Sequence, residues 1–185
     1  MHFLRLAAIC LGAWIAGSLL VMSAANQNLR IVELIMVEPE ISKDAANLMM
    51  KFDKDDARLL LRHQAGEMNR WLADRWELVQ IGLGIVLLAS LFLGSSGKRY
   101  PPVVCVLMLG CVAFLHWFMT PEMRNLATAV DFPRGSQSAN AMDRMVSFEY
   151  GYMITEWVKL GLGLVLAFGL LKTRRRQRRK TEESA

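Results

Sequence analysis

The sequence predicts an all-helical integral membrane protein, a four-helix bundle made of two helical hairpins in parallel repeat, with long helices that project on the extracytoplasmic side. Three observations predict this fold. Four apolar runs are too long for strands and too uninterrupted for helices of a soluble protein. The second and fourth runs begin with closely similar stretches. Beyond the runs, polar stretches with helical periodicity extend past the thickness of a membrane.

The four apolar runs define the membrane spans, which we place at about 3–25, 77–94, 102–119 and 156–172 within one domain of residues 1–172. A hydrocarbon core about 30 Å thick requires about 20 helical residues. The first run meets that length alone, and the other three need flanking residues. Three tryptophans lie where an aromatic belt at the membrane interface would place them: Trp76, Trp117 and Trp157.

The positive charge of the chain is concentrated at its C-terminus. The formal net charge is +5, and residues 172–185 alone carry seven Lys and Arg against two Glu, so the rest is neutral. Nucleic-acid binding needs basic residues spread over a folded surface, so we expect no nucleic-acid partner. We expect residues 173–185 to be a disordered cytoplasmic tail. Its arginines are interpreted as a topology anchor that attracts anionic lipid: Arg174, Arg175, Arg176, Arg178 and Arg179.

The distribution of Lys and Arg near the span ends predicts the orientation. Lys98 and Arg99 lie in the short link between the second and third spans, and Arg5 precedes the first, in each case without an acid. Both termini are therefore expected to be cytoplasmic, and residues 26–76 and 120–155 extracytoplasmic. We expect a multi-pass protein of the inner, or plasma, membrane of a bacterium.

The first span has a second interpretation. A charged start, an apolar stretch and the small residues Ser23, Ala24 and Ala25 are also typical of a cleaved signal peptide. Removal of residues 1–25 would leave three spans in the same orientation. The apolar stretch is longer than a usual signal core, and the repeat needs the first span as the partner of the second, which favours retention.

The internal repeat pairs residues 77–87 with residues 156–166, without a gap and with seven of eleven identities. It predicts two hairpins, spans one with two and three with four, both entering from the cytoplasm. Lipid gives helices no hydrophobic reason to associate, so small residues that allow close backbone approach are expected at helix contacts, first within the chain and alternatively between copies. These packing residues are Gly12, Ala16, Gly82, Gly84, Gly161 and Gly163.

The extracytoplasmic segments carry apolar stripes at helical spacing. One stripe predicts a continuous helix over about 54–93, roughly 60 Å long. A second stripe leads into the fourth span, and the first span is expected to continue towards residue 39. The expected breaks are four prolines and one loop: Pro39, Pro101, Pro102, Pro121 and residues 133–138.

Polar residues gather where the spans meet the extracytoplasmic boundary. Ionisable groups at this depth are costly, and those that occur usually pair or serve a function. Glu156 and Lys159 are spaced to pair on one helix, whereas Glu77 should find Arg75, His116 or Arg30. A network that fixes helix register is the favoured interpretation, and a proton or small-ligand site is the alternative. The candidate cluster is Gln27, Arg75, Glu77, Gln80, His116, Glu156 and Lys159.

Signatures of catalysis, cofactors or metals are absent from the sequence. The three histidines fall at three depths, which disfavours a haem held by facing spans. His63 and Glu67 share a helix face at metal-ligand spacing, but a solvated or salt-bridged pair is the better interpretation. The three cysteines lie inside apolar runs and predict no disulfide framework. We therefore expect no catalytic residue, cofactor or metal ligand.

Several short motifs carry a resemblance to a known family. They are Gly12-Ala-Trp-Ile-Ala-Gly17, His63 with Asn69, and Thr120-Pro-Glu122. The layout resembles the uncharacterised four-span proteins related to transmembrane protein two-hundred-and-five, over most of residues 3–172. The resemblance implies a four-helix membrane domain of unknown activity, with drug-resistance or trafficking associations for some relatives. It implies no active site, and the second hairpin lacks a histidine matching His63.

These observations favour a non-enzymatic accessory or scaffold subunit whose partners are the lipid bilayer and other membrane subunits or further copies of itself. Two alternatives stay open. A small transporter or channel would use the polar ring, although the middle of the spans holds almost only Leu, Val, Ile, Gly and Ala. A redox or quinone-associated subunit would need two facing ligands at one depth, which the histidines do not offer.

Overall fold

The computed structural model describes residues 2–37, 54–94, 100–131 and 137–183, and all of them are helical. Pro39, Lys98 and Arg99 lie outside these residues, as does most of the expected 133–138 loop. A π-helical turn, Leu115–Met119, joins α3 to α4. The α-helices within the described ranges are α1 His2–Val37, α2 Lys54–Gly94, α3 Tyr100–Phe114, α4 Thr120–Asp131 and α5 Gln137–Glu183.

Four helical stretches are long and apolar enough to cross a membrane: His2–Leu34, Arg58–Gly94, Tyr100–Ala127 and Asn140–Lys172. Each exceeds the roughly 20 residues that a hydrocarbon core requires. Large apolar side chains such as Leu20 and Phe168 are about 70% exposed on their outer faces, as contact with lipid would demand. The chain is therefore a multi-pass integral membrane protein, as its sequence predicts.

The helices form a closed ring in which α1 packs on α2, α2 on α3, α3 on α5 and α5 on α1. Neighbours along the chain are antiparallel: Gly94 lies beside Phe3, and Gly169 beside Tyr100. The end of the bundle that contains Phe3, Gly94, Tyr100 and Gly169 is called the terminal end, and the opposite end is called the far end. The apolar core near the terminal end is built from Ala7, Cys10, Leu11, Trp14, Leu87, Leu91, Val104, Cys105, Met108, Val112 and Leu166.

Pro121 does not end the helix, contrary to the expected break. The chain stays helical from residue 100 to 131, and the five residues just before Thr120 form the π-helical turn, in which the Thr120 N–H donates to the Leu115 carbonyl oxygen. A proline lacks an N–H, and its ring clashes with the carbonyl four residues earlier. A widened turn accommodates that clash, and the helix continues through it. Likewise, Pro101 and Pro102 occupy the first turn of α3, where no N–H is needed.

The small residues of the spans fall into two groups. Gly84 and Gly163 are buried at helix contacts, and a Cβ at Gly84 would overlap Leu109 and Trp14. Gly12, Gly82 and Gly161 face outward, where a Cβ would meet no atom within 4 Å, and Ala16 is exposed as well. Only some of the small residues therefore contribute to packing inside this chain.

The basic tail continues α5. Its backbone is helical to Glu183, where the sequence predicted a disordered segment. Arginine and lysine are good helix formers, and α5 already supplies the preceding turns, so no new helix has to nucleate.

Candidate functional site

Nine polar side chains from α1, α2, α5 and the α3–α4 region form a layer across the bundle between its apolar core and the far end. Six of them are almost completely buried, although they lie within stretches that can cross a membrane. Buried polar groups cost free energy unless they are hydrogen-bonded. We call this set the polar layer: Ser18, Asp74, Glu77, Gln80, His116, Thr120, Tyr152, Glu156 and Lys159.

One side of the polar layer links α1, α2 and α5. The Gln80 Nε2 donates to Ser18 Oγ at 2.9 Å, and Lys159 Nζ donates to Gln80 Oε1 at 2.8 Å. Lys159 Nζ also donates to Glu156 Oε1 at 2.6 Å, an ion pair within α5 that is almost sealed from solvent. The indole of Trp76 donates to Ser18 at 3.4 Å. A single amide side chain, Gln80, thus joins three helices.

The other side of the polar layer surrounds the carboxylate of Glu77, whose exposed fraction is 0%. The Thr120 hydroxyl donates to Glu77 Oε1 at 2.8 Å, and the Tyr152 hydroxyl donates to the same oxygen at 3.2 Å. The second oxygen, Oε2, lies 3.1 Å from His116 Nδ1. Glu77 therefore has its cation-capable partner on another helix, in the π-helical turn.

Asp74 lies a single helical turn before Glu77 on α2 and belongs to the same side of the polar layer. Its Oδ1 lies 3.6 Å from His116 Nδ1, and its Oδ2 lies 3.8 Å from Arg124 Nη2. Asp74, Glu77 and His116 each offer one ligand atom, all within 4.8 Å of one another. Carboxylate oxygens and imidazole nitrogens are common metal ligands, so these three residues could hold a metal ion.

Hydrogen bonding is incomplete at Glu156 Oε2 and at Trp14 Nε1, two buried atoms without a partner among the residues that the structure describes. Glu156 thus uses one oxygen, on Lys159, whereas both oxygens of Glu77 are engaged. The two buried carboxylates of the layer differ in how completely they are satisfied.

The structure brings together five of the seven residues in the sequence-derived cluster: Glu77, Gln80, His116, Glu156 and Lys159. The other two lie apart from the polar layer. Gln27 is exposed on α1, and Arg75 is exposed on α2 with its guanidinium 5.9 Å from the ring centre of Trp71. Among the expected partners of Glu77, the imidazole of His116 makes the contact.

Sequence reasoning missed four members of the polar layer. Three of them lie one helical turn from a residue of the predicted cluster on the same face, so extending each helix face by one turn would have found them. Ser18 carries no such signal, because it is one of two serines in a span that is otherwise apolar beyond Arg5. The three residues that lie one turn from the predicted cluster are Asp74, Thr120 and Tyr152.

Beyond the polar layer, hydrogen bonds and ion pairs between side chains connect the helices at the far end. Asn28 Nδ2 donates to Asn69 Oδ1 at 2.8 Å, and Asn69 Nδ2 donates to the Ala25 carbonyl at 3.1 Å. Two exposed ion pairs join helices in the same region, Arg62 with Glu33 and Arg144 with Glu122. Exposed pairs contribute little stability, so the half-buried asparagines are the stronger contact.

A groove of about 530 Å³ lies on the outer surface between α3 and α5. Its lining is almost wholly apolar, with the Thr155 hydroxyl already donating to the Gly151 carbonyl. It therefore offers an apolar ligand few hydrogen-bonding groups. The lining residues are Val106, Leu107, Gly110, Cys111, Phe114, Ile154, Thr155 and Val158.

Comparisons with family models, curated proteins and solved structures give no match to the chain. The resemblance to four-span proteins noted in the sequence stays a prediction.

Proposed function

We propose that this membrane protein is a non-enzymatic accessory or scaffold subunit. It acts through lateral contacts with other membrane proteins or with copies of itself. One observation carries the proposal: the polar side chains at span depth bond to one another across the helices. A network used in this way fixes the positions of helices, and its groups are not left to line a solute path.

The apolar core beneath the polar layer supports this proposal over a transporter. A solute path would need polar groups or water continuing to the middle of the membrane. Below Gln80, the described inward-facing residues of α2 are apolar apart from Ser90, whose hydroxyl donates to the Val86 carbonyl of its own helix. Leu87 and Leu91 fill the centre with almost no exposure.

The outer surface supports lateral association. Gly12, Gly82 and Gly161 lie on outward faces within the spans and leave room for a neighbouring backbone. Helices in lipid associate chiefly where small residues permit such close packing. These positions are available to a second membrane helix because no described helix of this chain covers them.

The sequence-derived topology belongs to the same proposal. Both termini are cytoplasmic, the far end is extracytoplasmic, and the membrane is the inner membrane of a bacterium. Positive charge near the span ends supports this orientation. Replacing Arg174, Arg175, Arg176, Arg178 and Arg179 by Gln should make the C-terminus accessible to an impermeant label in a fraction of intact cells. Unchanged accessibility would show that the tail does not set the topology.

Co-purification from native membranes tests the subunit proposal. After crosslinking in intact membranes, the wild-type protein should carry a reproducible membrane partner or a second copy. Gly12→Leu and Gly82→Leu should reduce that crosslinked species. Leu20→Phe is the matched control, because it enlarges a side chain that is already exposed on α1. A protein that stays monomeric and moves a solute into vesicles would overturn the proposal.

A further inference from the structure

We propose that Asp74, Glu77 and His116 form a binding site for one divalent transition-metal ion of the zinc type. The site lies where the membrane spans approach the far end. It is independent of the proposed lateral association, since an ion here would tie α2 to the π-helical turn within one chain.

The distances between the three ligand atoms are the first evidence for the metal site. His116 Nδ1 lies 3.1 Å from Glu77 Oε2 and 3.6 Å from Asp74 Oδ1. Tetrahedral zinc with bonds of about 2.0–2.2 Å places neighbouring ligand atoms roughly 3.3–3.6 Å apart. The two measured separations are close to that range, and the carboxylate oxygens lie within 4.8 Å of each other. A small side-chain rotation would complete three corners of a tetrahedron.

The second step is the orientation of Glu77 by neighbouring donors. Its Oε1 accepts hydrogen bonds from the hydroxyls of Thr120 and Tyr152, which leaves Oε2 directed at His116. Metal-binding carboxylates are held in this way by hydrogen bonds to the atoms that do not bind the ion. At Asp74, Oδ1 faces His116, and Oδ2 makes a longer ion pair with Arg124 at 3.8 Å, beyond hydrogen-bond distance.

The positions of the three residues along the helices also favour a metal site. Asp74 and Glu77 are three residues apart on α2 and so project from one face. His116 lies in the π-helical turn, a feature found frequently at functional sites.

Charge balance favours a divalent ion. Two carboxylates and a neutral imidazole would neutralise an ion of charge +2, and Glu77 is buried where an uncompensated charge is costly. One nitrogen and two oxygens suit zinc or manganese better than soft ions that prefer sulfur. The side chains of Asp74 and His116 are 24% and 19% exposed, so an ion can reach the site from outside the bundle. Three protein ligands would leave the fourth position to water.

A proton on His116 bridging the two carboxylates is the competing account, and it predicts no bound ion. The test uses the full-length protein, purified in detergent, treated with a chelator and then titrated with Zn²⁺ under equilibrium dialysis. Wild type should bind one ion per chain at saturation. Asp74→Asn and His116→Gln should each weaken binding at least tenfold. Thr120→Val, which removes only a supporting hydrogen bond, should weaken it by about 10–100-fold.

The control is His63→Gln, which removes another imidazole on the far-end side of α2 and should leave Zn²⁺ affinity unchanged. X-ray absorption of the zinc-loaded protein should show nitrogen and oxygen ligands at about 2.0–2.1 Å and no sulfur at about 2.3 Å. Each variant must give the wild-type elution volume without metal, so that loss of binding is separated from loss of folding. Absence of Zn²⁺ binding in folded wild type, equal affinity in all variants, or sulfur ligation would each overturn the proposal.

Discussion

Residues 77–87 of α2 and residues 156–166 of α5 have seven of eleven identities, and the bundle gives their matching residues similar surroundings. The glutamate that begins each stretch is buried, and so is the polar residue three places later. Their first glycines are both open to the outside, and their last leucines both have 0% exposure. The pairs are Glu77 with Glu156, Gln80 with Lys159, Gly82 with Gly161, and Leu87 with Leu166.

The two stretches differ in how the buried glutamate is stabilised. Glu156 has a cation three residues away on its own helix, Lys159. Glu77 has Gln80 there and instead contacts His116, with hydroxyl donors from α4 and α5. One residue, a turn further along the helix, thus decides whether a buried carboxylate is neutralised locally or needs groups from other helices. The Glu156–Lys159 pair lies within α5. The Glu77 carboxylate instead contacts side chains from three other elements, which are the π-helical turn, α4 and α5.

The largest expected effect comes from removing the cation of the local pair. Lys159→Met leaves the Glu156 carboxylate buried without its partner and takes a donor from Gln80. Breaking a buried ion pair on one side costs about 3–5 kcal/mol. The midpoint of unfolding in detergent, followed by circular dichroism, should fall sharply. Lys172→Met is the control, because Lys172 is exposed at the end of the fourth span, and an equal loss in both variants would contradict the comparison.

Neutralising each glutamate in turn tests the difference directly. Glu156→Gln should cost about 3 kcal/mol or more, because it removes the carboxylate partner of Lys159 from a buried ion pair. Glu77→Gln should cost only about 1–2 kcal/mol, because the amide oxygen still accepts hydrogen bonds from Thr120 and Tyr152. Free energies of unfolding from SDS titration measure both. The reverse order would show that the Glu77 carboxylate carries the larger share.

The glycines provide a test of packing without charge. Gly84→Ala puts a methyl group against Leu109 and Trp14 and should cost about 1–3 kcal/mol. At Gly163 the nearest atoms would lie 3.4–3.5 Å from the new carbon, an ordinary contact, so alanine should be tolerated. Gly82→Ala, facing open space, should be neutral or raise stability by up to about 1 kcal/mol through helix propensity. Thermal midpoints of the three variants in one detergent would decide the order.

Among the polar-layer variants, the smallest expected loss of stability is at the α1 end of the layer. Ser18→Ala removes the acceptor of Gln80 Nε2 and a long contact from Trp76. Losing one buried acceptor should cost about 1 kcal/mol, which the same SDS titration resolves. Ser147→Ala is a suitable control, since its hydroxyl donates to a carbonyl of its own helix in an exposed position. A loss at Ser147 as large as at Ser18 would count against the interhelical bond.

The features that depend on one helix could be predicted from the sequence. The spans follow from apolar runs, and the Glu156–Lys159 pair follows from a spacing of three residues. The break expected at Pro121 was wrong, because a π-helical turn can absorb a proline that would otherwise end a helix. Whether an interior turn widens depends on the packing around it, which no local pattern records.

Features that depend on two helices were harder to foresee. Gly82 and Gly84 look equivalent in the sequence, yet one faces outward and the other lies against α3. Their exposure is fixed by the rotation of α2 against its neighbours, which the sequence does not state. Asp74 and Tyr152 lie one helical turn from predicted residues, but their contacts with other helices could not be predicted, since those contacts depend on how α2, α5 and the π-helical turn are placed side by side.

The partners of Glu77 bear on how the chain can be made. Its hydrogen-bond donors, Thr120 and Tyr152, come from the second hairpin, so the first hairpin synthesised alone presents a carboxylate to lipid with no described residue of its own hydrogen-bonded to it. The second hairpin arrives later and carries its own charge pair already joined within α5. Biosynthesis is therefore expected to hold the first half in a protected state, at the insertion machinery or near the water interface, until the second half emerges and docks.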